Sequence, residues 1–167
     1  KLNKGLSKIS PINDWKYCKN LDEYQHHYKS SFFSDGKIRL KKVNQNRVLV
    51  FLSGYYSGVE DVFDNNLHPQ FLVNDCVKHN LSLASWSSIS QKDRGQNALY
   101  NNLNSVVSVE REYSRFLPSI GTSVWNEYVN EMVYCIGKIS EFYKDKVEII
   151  CVGWSMGGAF AHICPLI

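Results

Sequence analysis

The sequence predicts an α/β protein built on a mainly parallel sheet with helices on both faces. Three observations predict it. Two short runs, Val48 to Leu52 ("VLVFL") and Val147 to Val152 ("VEIICV"), are largely apolar without strict polar alternation, as strands covered on both sides read. Strand-like and helix-like segments alternate from about residue 37 onward, the order that gives parallel strands joined by crossover helices. Finally, a Gly153-Trp154-Ser155-Met156-Gly157 turn joins the second run to a helix start.

Residues 1–36 are polar and weakly periodic and are expected to form an irregular N-terminal segment that ends in an Asp35-Gly36 turn. "KIRLKKV", from Lys37, alternates as a strand. Its basic patch, Lys37 to Lys42, is read as a solvated edge strand rather than a contact for phosphate or nucleic acid. The Val48 to Leu52 strand stops at Ser53-Gly54, before a loop containing Glu60 and Asp61. Pro69 then opens a helix with Phe71, Leu72, Cys76 and Val77 on one face, and Asn80 closes it. Leu81 to Ser88 reads as the next strand. The long mixed stretch that follows is expected to hold a cap or lid insertion at 91–121. Ser123 is a fitting N-cap for the clearest helix, in which Trp125, Tyr128, Val129, Met132, Ile136, Ile139 and Tyr143 recur at spacings of three and four.

At 167 residues the chain is expected to be one domain, 1–167. A content of 44% hydrophobic and 13% aromatic residues excludes disorder, and no apolar run approaches the roughly 20 residues that span a bilayer. The formal charge of +3 is spread along the chain. Nucleic acid is therefore not an expected partner. "GWSMGG" lacks both the Lys-Ser/Thr of a phosphate loop and the Gly-x-Gly-x-x-Gly spacing of a dinucleotide site, and no metal-ligand spacing is present. No cofactor or metal is expected. The five cysteines are odd in number and set mostly among apolar neighbours, so they read as reduced core residues, which favours the cytoplasm. The sequence begins at Lys1 without a signal-like segment, and localisation stays open.

The turn around Ser155 carries the chemistry. A reversal that sharp between strand and helix needs residues without side chains two before and two after the serine, and Gly153 and Gly157 supply them. Ser155 then stands at a helix N-terminus, where the amide of Met156 faces a developing oxyanion. Tyr55, in the loop after Val48 to Leu52, is the expected second donor.

"GWSMGGAFA" together with "VLVFLSG" resembles the α/β-hydrolase superfamily over about Val48 to Ile167. "VLVFLSGYYSGVEDVFDNN" is faintly similar to the strand and oxyanion loop of class 3 lipases, although Trp154 stands where those enzymes usually carry His. The resemblance implies a serine hydrolase that cleaves a small-molecule or lipid ester through an acyl-enzyme on Ser155. A serine needs a histidine base and an acid to orient it, and the fold implied places both after the nucleophile. Only His162 follows, seven positions on and about 10 Å along the same helix, too far to reach the hydroxyl. The expectation is therefore an N-terminal portion of a longer hydrolase, its acid and base on a missing C-terminal part or another chain that also completes the sheet. The alternative is a non-catalytic binding protein that keeps the turn as a packing motif.

Overall fold

Tyr24, His26 and Tyr28 point to one side of a strand and Gln25, His27 and Lys29 to the other, so the N-terminal region is sheet rather than the irregular segment expected from its polarity. In the computed structural model, residues 8–30, 34–53, 58–64, 72–87, 123–144, 146–154 and 156–166 are described. The order is β1 (Ile9–Pro11), β2 (Lys16–Cys18), β3 (Glu23–Ser30), β4 (Ser34–Lys41), β5 (Arg47–Leu52), α1 (Val59–Phe63), α2 (Leu72–Lys78), β6 (Ser82–Ser87), α3 (Ser123–Tyr143), β7 (Glu148–Gly153) and α4 (Met156–Ala161). A short 3-10 turn, Cys164–Leu166, follows. The 91–121 segment expected to form a cap lies outside the described residues.

The mainly parallel sheet flanked by helices is not the layout that forms. Among the described residues, seven strands make one mixed sheet in the order β1-β3-β4-β6-β5-β7, with β2 also on β3. Four pairings, β1 with β3, β2 with β3, β3 with β4 and β4 with β6, are antiparallel. Only β6 with β5 and β5 with β7 are parallel. The cause is the N-terminal region. Its buried alternating positions are filled by His26 and Tyr28 instead of aliphatic residues, which hid the strand period of two. Asp35-Gly36 is likewise no turn, because both residues sit within β4 opposite Lys29 and Tyr28. Glycine is required at 36, where a Cβ would lie 2.2 Å from the Tyr28 ring.

One face of the sheet is covered by α3. Cys135, Ile139 and Tyr143 pack on Tyr28, Ile38, Leu40, Val48, Val50 and Ala84. Tyr28 donates a short hydrogen bond to the buried Glu131 of the same helix. On the opposite face, Val62 of α1 and Cys76 of α2 pack on Phe51 and Leu83. Lys144 and Asn80, at φ 61° and 54°, take the left-handed backbone beyond the ends of α3 and α2.

The basic patch is not a solvated edge. β4 is an internal strand, and its cations face acids of the same chain: Lys37 pairs with Glu60 at 3.0 Å, Lys41 with Asp22 at 3.6 Å, and Arg39 with Glu23 and Asp64. The cysteine reading is also corrected. Cys151 and Cys164 are disulfide-bonded, joining β7 to the turn after α4, so cysteine usage no longer argues for a reducing compartment. Cys18, Cys76 and Cys135 are free.

Candidate functional site

Parallel pairing brings the C-terminal ends of β5 and β7 side by side, with Leu52 opposite Gly153. The Trp154 amide donates to the Leu52 carbonyl at 3.1 Å, which carries the pairing one residue past the strand. Gly157 N–H then donates back to the Trp154 carbonyl at 2.9 Å, and α4 begins within that turn. Strand and helix are thus folded against each other over four residues.

The space between them decides which residues fit. A Cβ on Gly153 would lie 2.1 Å from the Gly157 carbonyl oxygen. One on Gly157 would lie 1.9 Å from the Leu52 oxygen and 2.7 Å from that of Ser53. Both contacts are with backbone, which cannot swing aside, so neither position admits a side chain without moving β5 or α4. Gly158 is different. A Cβ there would meet its nearest neighbour at 3.5 Å, an ordinary contact. Of the three glycines around the turn, the two flanking the serine at a distance of two are sterically required.

Ser155 lies between these described flanks but is itself outside the described residues, as is Tyr55. Met156 opens α4. Ser53, where β5 gives way to the loop bearing Tyr55, has its hydroxyl oxygen buried without a hydrogen-bond partner among the described residues. The disulfide closes around this corner, and Cys164 joins Leu52, Met132, Ile136 and Phe160 in the apolar cluster beneath it. Sequence reasoning missed that crosslink, for which the odd cysteine count left no signal.

Among the described residues, no histidine converges on the turn. His162 is exposed, just beyond the end of α4. His26 is buried on β3, its Nε2 3.0 Å from the Tyr134 hydroxyl. It stands three strands from β5, roughly 14 Å at the usual strand spacing. His79 follows α2 at the opposite end of the sheet, just before β6 begins. Among the free cysteines, burial pushes the Cys76 thiol up to about 11 and also raises that of Cys135, so neither offers a thiolate at neutral pH. Among the described residues, no group of His, Cys, Asp and Glu side chains is arranged to hold a metal, and no helix is long and apolar enough to cross a membrane.

No family model and no curated protein matches the chain. The resemblance to the α/β-hydrolase superfamily, including its class 3 lipases, is therefore corrected: the mainly parallel layout that it implies is replaced by a mixed, mostly antiparallel sheet, and no family model supports it. Any chemistry at the turn has to be argued from the turn alone.

Proposed function

We propose that the chain carries a serine nucleophile and hydrolyses a carboxylic ester of a small molecule or lipid through an acyl-enzyme on Ser155. The observation that supports this reading is the pair of backbone contacts at Gly153 and Gly157, the close approach of strand and helix that a nucleophilic serine turn needs. In this reading Met156 and Tyr55 donate their amides to the oxyanion. The acid and histidine come from sequence or a chain beyond this segment. Among the described residues no strand pairs with the outer edge of β7, where Val152 and Trp154 are 40% and 52% exposed, and the completing part would pair there.

The placement of His26, His79 and His162 favours one other reading, a non-catalytic binding protein in which the glycine-lined corner is a packing device. A fluorophosphonate probe separates the two. Full-length protein is expected to be labelled at Ser155, and Ser155→Ala to lose the label. Folded wild-type protein that takes up no label would leave the binding reading standing.

A further inference from the structure

Asn80-Leu81-Ser82 is the one Asn-x-Ser/Thr sequence in the chain, the acceptor pattern for N-linked sugar, and it falls between α2 and β6. Such a triplet arises readily by chance, and what distinguishes this one is how the fold treats its members. Asn80 is exposed, at φ 54° in the left-handed backbone after α2. The fold uses its main chain: the amide donates to the Val77 carbonyl at 3.1 Å, and the carbonyl accepts from Asn44 Nδ2 at 3.0 Å. Among the described residues its side-chain amide takes no hydrogen bond. A substituent on Nδ2 therefore displaces no contact.

Ser82 is treated in the opposite way. It is fully buried, and its hydroxyl accepts from the amides of Val43 and Asn44 at 3.0 and 2.9 Å while donating to the Asn44 carbonyl at 2.9 Å. Both lone pairs and the proton are thus engaged. The acceptor pattern requires that hydroxyl, which a transferase cannot reach in the folded chain. Modification has to come first, while Ser82 is free, and folding then hides the hydroxyl and leaves Asn80 outside. The compartment fits: Cys151 and Cys164 are disulfide-bonded, and disulfides form and persist in oxidising surroundings such as the lumen where N-linked sugar is added. The site also keeps clear of the serine turn. Ser82 pairs with Val48, whereas the turn follows Gly153, which lies beside Leu52, so four steps of strand separate them by roughly 13 Å.

We propose that Asn80 is an N-glycosylation site, loaded before the chain folds from an oligosaccharide carried on a lipid pyrophosphate. Asn80 Nδ2 attacks C1 of the first sugar and gives up one proton. The C1–O bond to the pyrophosphate breaks, and the lipid pyrophosphate leaves with its electron pair. Nothing in this step depends on the chemistry at Ser155.

The test begins with the full-length protein as its own cells make it. Peptide mapping is done before and after an amide-cleaving glycosidase, which leaves aspartate where sugar was attached. Asn80 is expected to carry sugar and to be converted to aspartate, and an Asn80 peptide that is bare throughout overturns the proposal. The order of events is tested with a purified oligosaccharyl transferase and a lipid-linked donor. Chain held unfolded by reduction and alkylation should be modified at least about tenfold faster than folded chain, in which Ser82 is released only by local opening. Equal rates would overturn modification before folding. Asn80→Gly suits the left-handed backbone and removes the acceptor amide without disturbing the fold. It should abolish transfer to the unfolded chain, and transfer that persists at the wild-type rate would place the acceptor elsewhere and overturn the assignment.

Discussion

The antiparallel part of the sheet, β1 to β4, and its parallel part, β5 to β7, lie under the same helix but are held differently. In the first, buried polar groups meet specific partners: Arg39 with Glu23, Tyr28 with Glu131, His26 with Tyr134. In the second, the interior positions Val48, Val50, Phe51 and Leu52 are apolar, and the corner is secured by two glycine contacts and a disulfide. Polar partnerships constrain orientation and answer to protons. Close backbone approach constrains volume and answers to added atoms, so the two parts should fail under different perturbations.

The sharpest break is expected at Gly157. Alanine there would force the Leu52 backbone away, and we expect a loss of about 3 kcal/mol, the upper end of overpacking, measured by denaturant unfolding. Gly158→Ala is the control and should be close to neutral. Equal effects at the two positions would remove the steric distinction. Reduction comes next. The Cys151–Cys164 bond spans 13 residues, and opening such a loop is worth about 3 kcal/mol at most, so dithiothreitol should lower the melting temperature by roughly 5 to 10 °C. An unchanged melt would mean that the bond contributes nothing to the corner.

Acid is the mildest test and should act on the antiparallel part. Burial lowers the pKa of His26, and the nearby charges of Lys138 and His27 lower it further, against Asp14 and Glu141, which raise it. Burial also lowers that of His27, with Lys37 acting in the same sense. The folded state thus binds fewer protons than the unfolded chain. The stability is complete above the unfolded value near 6.5 and is lost as pH falls through the lowered folded values. Protection factors in β3 and β4, exchange rates taken relative to the free peptide at the same pH, should fall by less than about tenfold as pH drops from 7.5 to 5, before those of β5 and β7. The reverse order would show that the polar partnerships do not set the antiparallel part's response.

The same contrast explains what the sequence disclosed. β5, β7 and α3 were legible because apolar runs and a stripe at spacings of three and four report burial directly. β1 and β2, three residues each, were too short to read, and β3 was not legible because the groups it buries are His26, Tyr28 and Glu23, which read as surface until their partners are known. That omission made the sheet look mainly parallel. α1 passed for loop because five residues carry too little period, and its hold on β4 depends on ion pairs between residues distant in sequence. At the candidate site the two glycines could be recognised by their spacing around Ser155. The disulfide could not, because which cysteines meet is decided by the path of α4.

That crosslink gives the corner an unusual topology. Cys151 lies before the serine and Cys164 after it, 13 positions apart, so the turn and all of α4 are part of a covalent macrocycle. A protease that cuts within it opens a ring and releases no fragment, and the nicked ends stay joined to the β7 strand through sulfur.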